Sequence, residues 1–270
     1  MPPRRTATFY ILACFFALFV LFLYGPIFTI IILAFQGPNG GLTFPLRGVS
    51  LHWFQRLFAT QAVGDIGGSL RRFVLLAVLV MAATVCISLS AGMAFRRRFR
   101  GATLLFYLAV ASLIVPSILL SLGIGLLFSQ SGWDATWYTS AFGAQLTWTL
   151  PFGLLIMFAV FNRFNRSWEE AARDAGATGW QSFRYVVLPI IAPSVIGVAL
   201  FGFTLSCDEF GRTLLTAGTK NTLPLEIIAM TTNVTTPVLY ALGALTTACS
   251  ALVIVIALTT VSFLRRKSQA

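Results

Sequence analysis

Glu170-Ala171-Ala172-Arg173-Asp174-Ala175-Gly176, followed after nine residues by Val186-Val187-Leu188-Pro189, is the polar stretch on which the reading of this chain turns. It joins two uncharged apolar runs, Ala141 to Phe161 and Val186 to Cys207. Its residue types predict two short helices and a tight turn across 162–189. Ser167 can cap the first helix, with Glu169 and Glu170 in its opening turn, where carboxylates suit the helix dipole. Ala171, Ala172 and Ala175 keep that helix slim enough to lie deep in a groove on another protein. Gly176 supplies a bend that a residue with a Cβ resists. Trp180, Phe183 and Tyr185 lead the chain back to the next apolar run. Pro189 stands near the start of that run, where its missing N–H matters least.

The surrounding composition is that of a membrane protein. Of 270 residues 57% are hydrophobic and only 10% charged, against about 25% charged in soluble domains. The mean hydropathy is +0.86. The apolar residues fall in blocks rather than stripes, and blocks longer than about 18 residues read as transmembrane helices. Six are expected: Phe9–Phe35, Phe73–Phe95, Ala102–Phe128, Ala141–Phe161, Val186–Cys207 and Val238–Leu264. The first follows Arg4 and Arg5, as a signal peptide would. It exceeds the roughly 7–15 apolar residues of a signal peptide and lacks a small-residue cleavage site, so 9–35 is expected to stay as a membrane-anchor helix. No linker divides the chain, and residues 1–270 are expected to form one transmembrane domain.

A formal net charge of +11 raises nucleic acid as a partner, but the distribution of charge answers that. With both termini inside, thirteen basic residues fall on the cytoplasmic side: Arg4, Arg5, Arg96, Arg97, Arg98, Arg100, Arg163, Arg166, Arg173, Arg184, Arg265, Arg266 and Lys267. Six fall outside: Arg47, Arg56, Arg71, Arg72, Arg212 and Lys220. The excess obeys the positive-inside rule, so it reports topology, with lipid and not nucleic acid as the surroundings. Arg96–Gly101 reads as a basic turn that locks this topology. In the long outer loop from Gln36 to Arg72, Leu51, Trp53, Phe54, Leu57 and Phe58 approach helical spacing, which predicts a short helix on the outer membrane surface.

Groups for chemistry are few. Cys14, Cys86, Cys207 and Cys249 have neither metal nor redox spacing, His52 is the only histidine, and no metal site is expected. No phosphate-cradling Gly-x-x-x-x-Gly-Lys-Ser/Thr loop occurs, so no cofactor is expected in this chain. Asp208 and Glu209 end the fifth apolar run beside Arg212. Either they line a solute path and attract an amine, or they cap the helix exit, paired with Arg212.

The spaced pattern of Glu170, Ala171, Ala172, Gly176, Leu188 and Pro189 resembles the signature loop of permease subunits of type I ABC importers. The one departure is Val186 where isoleucine is usual. From about 68 to 264 the chain is similar to the spermidine/putrescine branch of that family, through Val115-Pro116-Ser117, Gly123-Ile124-Gly125, Leu150-Pro151-Phe152, Phe203 to Phe210 and Thr222-Leu223-Pro224-Leu225. The resemblance implies an all-α, six-helix MetI-like fold in a bacterial inner membrane. It implies a second permease, a paralogue in preference to a copy, two ATPases that bind ATP and Mg, and an extracytoplasmic substrate-binding protein. The loop 162–189 would then be the cytoplasmic coupling loop, with Glu169, Glu170, Ala171, Ala172, Asp174, Gly176, Leu188 and Pro189 meeting the ATPase. Asp208 and Glu209 would face the path of a polyamine or an amino-acid-like solute. A secondary transporter or channel accounts for six spans but leaves the spaced loop to accident. A membrane-embedded enzyme lacks paired catalytic groups in its spans.

Overall fold

The computed structural model of the chain describes residues 6–57, 65–96, 99–233 and 236–269. Arg4, Arg5, Phe58, Arg97 and Arg98, on which the sequence reading also drew, lie outside those residues, as do the side chains of Arg265, Arg266 and Lys267. The described residues are all-α: α1 Ala7–Leu33, α2 His52–Leu57, α3 Ile66–Phe95, α4 Ala102–Ala111, α5 Ser117–Gln130 and α6 Ser140–Arg163. They continue with α7 Ser167–Asp174, α8 Gly179–Ser182, α9 Leu188–Asp208, α10 Leu223–Asn233 and α11 Val238–Gln269. A π-helical turn, Phe183–Val187, runs α8 directly into α9. The fifth apolar helix therefore begins before Val186, at Gly179.

Five helical stretches are long and apolar enough to cross a membrane, and they match five of the six expected runs. The third run differs. Instead of one helix over Ala102–Phe128, the chain makes α4 and α5 with a break between them. The cause is Pro116, which has no N–H and disfavours helical backbone in the residue before it. It serves as N-cap of α5 instead, with φ −56° and ψ 132°. The segment from Glu209 to α11 also differs from a plain outer loop, since it contains turns and the apolar helix α10.

The chain packs as two compact units, each drawn from separated stretches of sequence. One comprises Met1–Asp65 and Ile227–Leu252. Here α1 is largely exposed, as a lipid-facing helix would be, and the following loop is ordered around the buried Gln36. The Gln36 amide donates to the carbonyls of Gly41 and Thr43, and its oxygen accepts the Arg47 N–H at 2.7 Å. Tyr240 reaches the same loop, its hydroxyl donating to the Leu42 carbonyl at 2.8 Å. The short helix expected around Trp53 is present as α2, with Leu57 buried.

The other unit, Ile66–Glu226 with Val253–Ala270, is built on α3, α6 and α9. Lipid gives apolar helices no solvent-driven reason to associate, so small residues that let backbones approach decide the packing. A Cβ on Gly92 would lie 2.7 Å from the Phe161 ring, and one on Gly153 would run into the Ser88 hydroxyl and, at 2.9 Å, the Thr84 methyl. Thr84 and Thr149 share a hydrogen bond of 2.7 Å across the same seam, and Ser206 donates to the Gln145 side chain. Toward the α7 end, Met157, Phe161, Val187, Ile191 and Val198 close an apolar cluster. Gly153→Leu is expected to cost about 1–3 kcal/mol through overpacking, whereas Gly197→Leu, with nothing within 4 Å of its Cβ position, should be tolerated. Melting temperatures of the two purified variants in detergent check this, and equal values would contradict the assigned seam.

Candidate coupling loop and solute path

The loop between α6 and α9 is an elbow that carries its own backbone hydrogen bonds. Ser167 does not cap α7; it is the first helical residue, and its N–H donates to the Asn165 side-chain oxygen at 3.0 Å. The N-cap position falls one residue earlier, at Arg166, because α6 runs on to Arg163 and leaves only Phe164–Arg166 for the corner. Glu169 and Glu170 do occupy the first turn and Arg173 the last, which suits the dipole at both ends.

At the other end of α7, Gly176 takes φ +87°. Its N–H donates to the Arg173 carbonyl at 2.8 Å, and the Ala177 N–H donates to Ala172 at 3.0 Å. This is a Schellman cap, which satisfies two of the carbonyls that the helix end leaves open. Thr178 and Gln181 then form a reciprocal capping box that starts α8. The Thr-x-x-Gln spacing was present in the sequence, yet the box was not among the expectations.

Residues 170, 171 and 173–176 are exposed, together with Trp168, Trp180 and Tyr185. Ala172 and Leu188 are half-buried, and Pro189 is exposed. Glu169 separates itself from the rest. Both its oxygens accept from Arg96 at 2.8 Å, in a two-pronged bond that ties the elbow to the end of α3. The Arg96 guanidinium also lies over the rings of Phe161 and Phe164, at 5.4 and 5.3 Å. Arg166 donates to the Arg96 carbonyl at 2.9 Å. The hydrogen bond from Arg96 holds the Glu169 carboxyl below its ordinary range against partial burial, helped by the charges of Arg96, Arg173 and Arg166. Arg96 is thus more than a topological charge. A groove of about 630 Å³ runs between Met93 and Arg96 on one side and Glu169, Glu170 and Arg173 on the other.

At the far end of α9 the two acids part company. Asp208 is exposed. Glu209 is buried and accepts the Arg212 backbone N–H at 2.9 Å, with the Arg212 guanidinium 3.7 Å from its second oxygen. Arg212 was counted among the outer charges, but its side chain has no exposed surface. It packs over the Trp148 ring at 4.8 Å and donates to the Ser112 carbonyl. The positive-inside count therefore loses one outer residue to the interior of the bundle.

Comparison with known proteins bears on the family and the fold. Residues 84–267 match the family described as binding-protein-dependent transport system inner membrane component. The chain is 27% identical to the spermidine/putrescine transport system permease protein PotC of Haemophilus influenzae over 82% of this chain and 85% of that protein. It is 29% identical to the putrescine transport system permease protein PotI of Escherichia coli over 77% of this chain and 75% of that protein. Among solved structures, a bacterial ABC transporter involved in import of the acidic polysaccharide alginate superposes with a TM-score of 0.69 at 16% identity, over 96% of this chain and 98% of that one. The same kind of transporter in complex with its pentasaccharide-bound periplasmic protein gives 0.62 at 14% identity, over 97% and 93%. With the spaced loop, the all-α fold and a family match across most of its length, the chain belongs to the inner-membrane permease components of binding-protein-dependent ABC importers.

Proposed function

We propose that this chain forms half of the solute path of an ATP-driven importer for a small amine-bearing solute, a polyamine or an amino-acid-like compound. The observation that carries this reading is the elbow at 167–182. Its backbone ends are internally satisfied, its tip is exposed, and a two-pronged ion pair fastens it to α3. Such a piece moves as a unit when a partner pushes it. A cleft on an ATPase subunit would receive α7, with Glu170, Ala171, Ala172, Asp174 and Gly176 at the contact and Leu188 and Pro189 leading the stroke into α9. Arg96 and Glu169 would carry the same stroke into α3.

ATP and Mg would be bound by two such ATPases, and hydrolysis would occur there. A second permease would complete the path, and an extracytoplasmic binding protein would deliver the solute. Both termini would lie in the cytoplasm, which places the elbow on the inner face and Asp208 toward the outside. The amine class rests on the polyamine permeases among the relatives and on the exposed carboxylate of Asp208 at the end of α9.

The complex purified with its partner subunits should hydrolyse ATP faster when an amine solute and the binding protein are added. A panel of diamines, triamines and amino acids that leaves the ATPase rate flat would remove the amine assignment. Glu170→Lys should weaken ATPase binding or uncouple hydrolysis from uptake several-fold, measured as solute transported per ATP. Glu169→Gln should loosen the elbow and lower the same ratio. A carboxyl held below its ordinary pKa stabilises the folded form above that ordinary value and loses the effect as pH falls through the lowered one. The effect of Glu169→Gln should therefore be constant from about pH 6 to 8, and a defect that changes across that window would count against the Arg96–Glu169 tie.

A further inference from the structure

Among the described residues Arg212 is the bulkiest side chain with no exposure, and it lies in a segment that the sequence placed in an outer loop. Its depth follows from its neighbours. Trp148, whose ring it covers, is eight residues into α6, about 12 Å along the helix axis. That is well inside an apolar layer about 30 Å thick. The neighbour on the other side is the break in the third apolar run. In a continuous helix the Ser112 carbonyl would accept the N–H of residue 116, but residue 116 is proline and has none. Arg212 Nη2 supplies the missing donor at 3.3 Å.

The guanidinium is otherwise poorly matched. Nε and Nη1 have no hydrogen-bond acceptor among the described residues, and Nη1 sits 3.7 Å from Glu209, within ion-pair range but beyond a hydrogen bond. Replacing a buried ion pair by apolar side chains of similar volume is often neutral or stabilising, so packing alone gives no reason for an arginine here. The segment that carries it is packed into the bundle, with Thr213 and Thr216 buried. The Leu215 N–H donates to the Ser121 hydroxyl at 2.9 Å, and the Ser140 hydroxyl donates to the Thr216 carbonyl at 2.6 Å. These contacts reach α5 and α6 from one short stretch.

We propose that Arg212 is a latch of the transport cycle. It holds residues 209–216 against the break between α4 and α5 in the state described by this structure. When the path opens on that side, the segment lifts, and the guanidinium exchanges its incomplete partners for water. Arg212 acts as a positioning residue through the helix break and makes no contact with the solute. The inference rests on the reading that the path passes the end of α9 beside Asp208.

The test uses the complete complex, with ATPases and binding protein, in lipid nanodiscs and proteoliposomes. Arg212→Met is expected to melt at the same temperature as the unaltered complex or higher, while solute uptake falls tenfold or more. Arg212→Lys should recover part of that uptake. A lower melting temperature for Arg212→Met would make the arginine a structural peg and overturn the latch, as would unchanged uptake. With the four native cysteines replaced and Arg212 kept, Thr213→Cys, buried beside it, should react with a membrane-impermeant maleimide faster in the ATP–vanadate state than without nucleotide; equal rates in the two states would overturn it as well. If the unaltered complex itself shows no solute-dependent ATP hydrolysis, the proposed function fails, which the melting comparison separates from failure of the latch.

Discussion

In a bilayer, every backbone carbonyl and N–H away from the surface must find its partner within the protein, because hydrocarbon offers none. The third apolar run breaks that rule locally, since Pro116 leaves the Ser112 carbonyl without its helical donor. The surrounding structure is arranged around the repair. The Ser112 hydroxyl donates to Ala109 and Thr147, tying the break to α4 and α6. Arg212 comes back from beyond α9 to meet the open carbonyl, and Glu209 and Trp148 accompany its charge. A segment that composition assigns to an aqueous loop is packed into the bundle, and its Arg212 meets the open carbonyl there.

The elbow at 167–182 solves the opposite problem. Outside the apolar layer, water can satisfy its backbone, yet it closes most of its own ends through the Asn165 contact, the Gly176 cap and the Thr178–Gln181 box. Internal closure makes the piece stiff. Its connection to the bundle is then narrow and specific, through Arg96 to Glu169 on one side and the continuous α8–α9 helix on the other. Two neighbouring acids in one helical turn thereby have different surroundings, with Glu169 turned inward to the protein and Glu170 left exposed.

The same division occurs at the end of α9, where Glu209 is occupied by Arg212 and Asp208 is exposed. Between these two sites run α3, α6 and α9, held close by Gly92 and Gly153 and cross-linked by the Thr84–Thr149 pair. In the proposed coupling, a displacement applied at the elbow would enter α9 and α3, which pack against each other along the seam. The physical connection between the two ends is packed backbone with little room to deform independently.

The sequence by itself determined the membrane class, five of the six helices to within a few residues at most ends, and the elbow with its glycine bend. These depend on local properties: block length against bilayer thickness, residue spacing along one helix, and the left-handed backbone that Gly176 permits. Only the tertiary structure decided the partners. That Arg96 binds Glu169 across 73 residues, and Arg212 meets Ser112 across 100, has no periodic or compositional signature. The break in the third run was half-legible, because Pro116 was visible but prolines in membrane helices often only kink them. What the sequence did not show was the partner of the freed carbonyl, because Arg212 meets Ser112 across 100 residues only in the folded chain.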